Sequence, residues 1–188
     1  MESFDDGLRA YNPNDEKMRI KNAQLQKDVS VYLDIFKGAC TGANLRNKKS
    51  VSCFCVSRQD DGYTEAGVIE RLPTVQDYIQ EAEKFNKERY TTNSTYHYAD
   101  TGKYETRLYG ELLKYKPEDL DYAKELRHRL HDEISKMGFT SFKVSLIELD
   151  DIYVIHNRTT GLLSSTIKES ISTRVAGKIY AFRFEASW

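Results

Sequence analysis

The sequence predicts an α+β fold in which about three helices pack on a mainly antiparallel β-sheet within a single domain. Three stretches carry apolar residues at helical spacing, and the segments between them are rich in β-forming residues and interrupted by turn residues. The 188 residues, of which 39% are apolar, suffice for one hydrophobic core and would be cramped for two. We therefore assign residues 1–13, which lack periodicity, to an N-terminal arm and residues 14–188 to the domain.

Three helices are predicted from periodicity and from start and stop signals. The first spans Asn14–Gly38, with Asn14 as the N-cap and Gly38 as the C-terminal stop. The second spans Thr74–Arg89 and opens with a capping-box pattern of Thr74 and Asp77. The third spans Pro117–Met137, where proline suits the first turn and the following glycine ends the helix.

The remaining segments predict antiparallel strands joined by short turns. Lys103–Tyr115 also fits helical spacing, so strand and helix stay open there. Asp61-Gly62, Asp150-Asp151 and Ala176-Gly177 are predicted as breaks between strands. The predicted strands are Val51–Arg58, Tyr63–Arg71, Thr91–Ala99, Lys103–Tyr115, Phe139–Leu149, Ile152–His156, Ser164–Val175 and Lys178–Ser187.

Composition excludes several classes of function. With 28 basic and 29 acidic side chains the net charge is -1, so no global field draws the chain to nucleic acid or to an anionic membrane. The acidic N-terminus lacks signal-peptide features and no apolar run is long enough to span a bilayer, which predicts a cytoplasmic protein that is not secreted. Cys40, Cys53 and Cys55 are an odd number and are predicted to be reduced thiols.

Four histidines are the candidate catalytic or metal-binding residues. On the helical wheel, His128 and His131 lie beside Asp132 on the charged side of the third helix, where surface ion pairs are expected. We therefore predict no metal, no cofactor and no enzymatic activity. If the chain were an enzyme, its acid-base residues would come from His97, His128, His131 and His156.

Two surfaces are candidates for contacts with partners. The first is a basic loop after the first helix, which does not fit a P-loop because it follows a helix and has the wrong spacing. It is suited to contact DNA or an acidic partner through charge. The second is a tyrosine-rich hairpin that offers interface area. The candidate interface residues are Arg46, Lys48 and Lys49 in the loop and Tyr96, Tyr98, Tyr104, Tyr109 and Tyr115 in the hairpin.

The order of elements in the C-terminal half resembles that of tail terminator, or tail-completion (neck), proteins of tailed phages. The resemblance rests on the strand Lys103–Tyr115, a helix containing the run Lys124–Asp132, an antiparallel hairpin and the final strand Lys178–Phe184. It carries no signature motif, so no functional residue transfers. The chain differs by its additional helix Thr74–Arg89 and its acidic arm, and another neck or connector role fits equally.

The resemblance implies a non-enzymatic subunit that assembles with copies of itself, as a ring, and with other structural proteins. Such a ring sits at the tail or head–tail junction, with DNA passing through its lumen and no membrane contact. The protein would occupy the host cytoplasm during assembly and then the virion. The alternatives are a small cytoplasmic histidine-dependent nuclease or phosphoesterase, and a host-directed inhibitor or adaptor.

Overall fold

The computed structural model describes residues 13–60, 63–81, 102–110, 112, 114–160 and 167–188. These residues form three α-helices and one six-stranded antiparallel sheet, which confirms the predicted α+β fold. The helices are α1 (Pro13–Leu45), α2 (residues 75–81) and α3 (Leu120–Ser135), the last preceded by a 3-10 turn at Pro117–Asp119. The strands are β1 (Ser50–Asp60), β2 (Tyr63–Ile69), β3 (Gly102–Arg107), β4 (Lys114–Tyr115), β5 (Ser141–Thr160) and β6 (Ile167–Ser187).

The sheet has the strand order β2-β1-β6-β5-β3, and β4 also pairs with β6. The predicted first hairpin is confirmed, because β1 and β2 pair from Asp60 with Tyr63 to Phe54 with Ile69. Residues 1–12, the predicted strand Thr91–Ala99 and the predicted end of the second helix near Arg89 lie outside the described residues.

The C-terminal third is one long hairpin, and the prediction of four separate strands there was wrong. β5 has 20 residues and β6 has 21, and the two pair along nearly their whole length. Asp150 pairs with Lys178 and Ile152 pairs with Val175, so Asp151 alone faces two residues of β6, 176 and 177. The two turn-type dipeptides lie opposite each other, and together they form a β-bulge that bends a shared ladder.

Helix α1 does not stop at Gly38, contrary to prediction, but continues to Leu45. The apolar face continues past the glycine, since Ala39 and Ala43 are buried. Gly38 lies on the exposed side, where an added β-carbon would meet nothing within 4 Å. Burial of the alanines therefore outweighs the weak helix propensity of a single glycine.

The stop signal of α1 is Asn47, which has a φ of 58°. Its N–H donates to the Asn44 carbonyl at 2.9 Å, and the Lys48 N–H donates to the Ala43 carbonyl at 3.0 Å. These two bonds form a Schellman motif, in which asparagine takes the position more often held by glycine. The predicted basic loop is therefore reduced to residues 46–49.

The segment Lys103–Tyr115 is neither one strand nor one helix. It is divided into β3 and β4 by a turn at residues 108–110, which is closed by a bond of 2.9 Å from the Gly110 N–H to the Arg107 carbonyl. β3 pairs with β5, whereas β4 pairs with β6. The chain therefore leaves one strand of the long hairpin for the other within this short segment.

The main core lies between α1, α3 and one face of the sheet. Aromatic rings fill its centre: Tyr32 packs against Phe182 with centroids 5.0 Å apart, and Phe36 packs against Phe184 at 5.2 Å. Cys53 is buried beside them as a free thiol, and burial raises its pKa to about 12. The opposite face of β1 and β6 carries a second apolar cluster around Phe54, which positions the candidate site.

The same substitution at two glycines should have opposite effects on stability. Gly38→Ala should raise the free energy of unfolding by about 1 kcal/mol, because alanine is the better helix former at an exposed position. Gly177→Ala should lower it by about 1 kcal/mol or more, because φ there is +155°, which L-residues rarely adopt. Urea unfolding of both variants measures these changes, and a stabilised Gly177→Ala would contradict the bulge geometry.

Candidate functional site

A cleft of about 600 Å³ opens beside the second apolar cluster, and we call it the Arg107 cleft. Val56 and Ile69 of the β1–β2 hairpin form one side of it, and Leu112 contributes from the segment between β3 and β4. Val56 and Leu112 form an isolated β-bridge, which ties that segment to the sheet. The lining therefore combines this apolar surface with polar side chains at the mouth and on the inner wall, which include those of Arg71, Asp77, Glu81, Thr106 and Arg107.

The mouth of the cleft is held by the start of α2. The Thr74 N–H and hydroxyl both donate to the Asp77 carboxylate at 2.8 Å, and the Asp77 N–H donates to the Thr74 hydroxyl at 3.2 Å. This confirms the predicted capping box. Arg71 adds two bonds to the same carboxylate at 2.8 and 2.9 Å, and it holds the pKa of Asp77 well below its usual range. The hydroxyls of Tyr78 and Thr106, 3.3 Å apart, join α2 to β3.

The inner wall contains Arg107, the last residue of β3, which forms an ion pair with Asp151, the bulge residue of β5. Asp151 itself lines a neighbouring cleft of about 400 Å³. The guanidinium donates to the carboxylate through Nε at 2.6 Å and through Nη2 at 2.7 Å. Asp151 is only 7% exposed, so this pair is screened from solvent on the carboxylate side. The Asp151 hydrogen bonds raise the pKa of Arg107.

Tyr153 stacks between two arginines on the same side of the sheet. Its ring centroid is 5.8 Å from the Arg107 guanidinium carbon and 4.7 Å from that of Arg174. Arg107 and Arg174 are both register partners of Tyr153, on β3 and β6, and Arg174 also forms an ion pair with Glu105. This ladder of charge and aromatic contacts fixes the position of Arg107.

Lys114 lies behind the lining of the cleft. Its Nζ atom is buried and has no hydrogen-bond partner in the described part of the chain, and it is 6.0 Å from the Tyr109 ring centroid. Burial and the charge of Arg107 lower the pKa of Lys114 to about 8, and Asp151 partly opposes this shift. Our sequence reasoning missed this residue. The sequence did contain a signal for it: in a strand, residues two apart lie on the same face, so Lys114 is expected on the same face as the apolar Leu112.

The three basic loop residues follow α1 but do not line the cleft. Arg46 donates through Nε to the Gly42 carbonyl at 3.1 Å, and Lys48 forms an ion pair with Glu70 at 3.5 Å. The Lys49 carbonyl accepts a hydrogen bond of 3.1 Å from the Trp188 N–H. The loop is thus attached to the end of β6.

The two predicted interface tyrosines whose side chains are described do not share a surface. Tyr115 packs into the core against Tyr122 and Phe182, with centroids 5.7 and 5.8 Å away, and its hydroxyl reaches Asp28. Tyr109 lines the Arg107 cleft instead. Tyr104 belongs to β3, but its side chain is outside the described part, as are residues 96 and 98.

The three histidines in the described ranges lie on two elements, α3 and β5. His128 and His131 are exposed on α3, and their ring nitrogens lie 3.5 and 3.7 Å from the Asp132 carboxylate, as the charged face of this helix predicts. His156 is buried on β5, and residue 97 lies outside the described residues. Among the residues that are described, no group of three or more His, Cys, Asp or Glu side chains is arranged to hold a metal ion.

Comparison of the chain with protein-family models, curated proteins and solved structures found no match. No helix in the described ranges is long and apolar enough to cross a membrane. The resemblance to tail terminators therefore stays a prediction.

Lys114→Met should stabilise the protein, and the gain should depend on pH. Because the pKa of Lys114 is about 8 in the folded chain and higher when unfolded, the unfolded state binds more protons between pH 8 and 10. Wild-type stability therefore gains from this group as the pH rises, and the advantage of the variant shrinks. Urea unfolding at pH 7, 8, 9 and 10 measures the difference.

Lys116→Met is the matched control, since this lysine is exposed two residues away. We expect no pH-dependent difference from wild type. A constant advantage of Lys114→Met from pH 7 to 10 would contradict a buried, unpaired ammonium.

Proposed function

We propose that this chain is a non-enzymatic structural subunit of a phage-like particle, of the tail terminator or connector type, that assembles as a ring at the tail or head–tail junction. The observation that carries the proposal is the outer edge of β6 in the half of the long hairpin beyond the bulge. An unpaired strand edge can pair with another copy of the chain, and a subunit that forms a ring must bind copies of itself.

The half of β6 before the bulge contributes little to either apolar cluster. Both clusters draw on β6 only from Ala181 onward. Before that point, side chains 170 and 172–178 are all exposed, and Val175 is 59% exposed. Because so few of its side chains are buried, this segment is held mainly by backbone hydrogen bonds to β5. The backbone groups on its outer edge are then available to pair with another chain.

Within the described residues, the outer edge of β6 is unpaired from 167 to 178, since β4 and β1 pair only with residues 180–187. No proline interrupts this stretch. Long unpaired edges template pairing with another chain, and monomeric proteins usually block or shorten them. The edge therefore favours a contact between chains.

A ring needs contacts between two different surfaces of the subunit. β2 provides a second edge, since among the described strands it pairs only with β1. Pairing of unlike edges is a heterologous contact, which closes into a ring when the rotation between subunits permits. The basic loop, with Lys49 exposed, would then supply local positive charge for DNA in the lumen or for an acidic partner.

Val175→Lys should weaken assembly because it places a charge on the unpaired edge. Native mass spectrometry across a concentration series should show a discrete oligomer for wild type and a shift toward monomer for the variant, with the transition moved to about tenfold higher concentration or more. Ile20→Lys on α1 is the matched control, since Ile20 is 58% exposed against 59% for Val175. It should assemble like wild type.

Proline substitutions at Ser172 and Thr173 distinguish the role of the outer edge of β6 from that of its pairing with β5. Backbone N–H groups of adjacent strand residues point to opposite sides, so one proline removes a bond to β5 and the other removes an outward donor. The variant that keeps the wild-type melting temperature should be the one that loses the oligomer. A wild-type chain that is monomeric at every concentration, with no particle location, would overturn the proposal.

A further inference from the structure

We propose that the Arg107 cleft is a binding site for a monocarboxylate that carries a branched aliphatic or aromatic group. This site is separate from the β6 edge and does not depend on the assembly role. The proposal rests on the size and lining of the cleft, on the charge of its inner wall, and on the charge at its mouth.

The size and lining of the cleft suit an apolar group. Its volume of about 600 Å³ lies within the range of small-molecule sites, about 300–1,000 Å³. Val56, Ile69 and Leu112 present aliphatic surface from two separate segments of the chain. Such sites gain affinity from apolar contact and gain orientation from a few polar groups.

Two cations and one carboxylate lie on the Arg107 side of the cleft, and of these three groups Arg107 alone lines it. Arg107 and Lys114 are cations, and Asp151 is a carboxylate that bonds to Arg107 and acts electrostatically on Lys114. Asp151 is already bonded twice to Arg107, and the buried Lys114 Nζ has no partner in the described part. An unpaired buried ammonium is unfavourable, and a ligand anion would offset that charge.

Donors remain available for such an anion. A guanidinium has five N–H groups, and Asp151 accepts from the Nε and Nη2 atoms of Arg107. Arg107 lines the cleft, and its Nη1 atom takes no part in the bonds to Asp151. A carboxylate there would bond to Arg107 and lie near the charge of Lys114 behind it.

The charges at the mouth of the cleft favour a ligand that carries a single negative charge. Arg71 and Asp77 neutralise each other in a two-bond ion pair, so the pair adds no net charge at the mouth. Glu81 is exposed and lines the same cleft, so it repels a second carboxylate or a phosphate at that end. The chemistry is shared by free acids and by the C-terminus of a peptide that ends in an apolar residue.

Isothermal titration calorimetry with 3-phenylpropionate and 4-methylpentanoate tests the site in wild-type protein. 3-Phenylpropionamide keeps the shape without the charge, and acetate keeps the charge without the apolar group. Both acids should bind at least about tenfold more tightly than the amide and than acetate, because hydrogen bonds to charged groups are the stronger kind. Equal affinity of acid and amide, or no binding of either acid, would overturn the proposal.

Two lysine variants locate the anion. Lys114→Met should weaken binding of 3-phenylpropionate about tenfold and leave binding of the amide unchanged, whereas Lys116→Met should behave like wild type. The affinity of wild type for the acid should fall above pH 8, as Lys114 loses its proton, and that of Lys114→Met should not. Unchanged affinity in Lys114→Met would place any bound acid elsewhere and contradict the site.

A pair of peptides distinguishes the source of the carboxylate. A heptapeptide that ends in leucine with a free C-terminus, and its C-terminal amide, are titrated alongside the free acids. Tighter binding of the free-terminus peptide than of the small acids supports a protein terminus as the ligand, and the reverse order supports a metabolite. Native mass spectrometry of the same samples reports the oligomer independently, so failure of either proposal is recognised separately.

Discussion

The bulge shared by β5 and β6 determines how the long hairpin is divided and where Asp151 lies. One residue of β5, Asp151, faces two residues of β6, and Gly177 supplies the backbone conformation that this requires. Without the bulge the β5–β6 ladder would be regular, and Asp151 would not be placed beside Arg107 at the end of β3. The same irregularity thus positions Asp151 for its ion pair with Arg107.

The bulge also divides the hairpin into parts with different physical roles. On one side of it, Phe182 and Phe184 pack beneath α1 and α3, where burial of aromatic rings stabilises the fold. On the other side, β6 from 170 to 178 is largely exposed and pairs only with β5 in the part described. The first part supplies stability, and the second exposes backbone groups that are available for assembly.

Local rules predicted most of the fold. The capping box at Thr74, the α3 stripe and the first hairpin follow from short-range patterns and were confirmed. The errors arose where a partner distant in sequence decides the outcome. Asp150-Asp151 and Ala176-Gly177 have turn chemistry, and only their mutual opposition makes them a bulge.

Partners that are distant in sequence also explain why the candidate site was not predicted. In the sequence Gly38 has the pattern of a helix stop, and only the burial of Ala43 shows that the helix continues. Lys114 likewise has the pattern of a surface lysine, and only the folded structure brings it near Tyr109 and Arg107. The predicted interface tyrosines were chosen from one segment, but Tyr115 points into the core because β4 pairs with β6 rather than continuing β3. Long-range pairing, which periodicity does not report, decides each of these positions.

Amide hydrogen exchange of residues 167–178, followed by mass spectrometry across a protein concentration series, tests directly whether the outer edge of β6 pairs with another copy of the chain. If the outer edge of β6 pairs with another copy, its amides should exchange at least about tenfold more slowly at assembling concentrations than in dilute solution, and peptides from the core of α3 should not change. Exchange of residues 167–178 that is equally fast at every concentration would contradict the account.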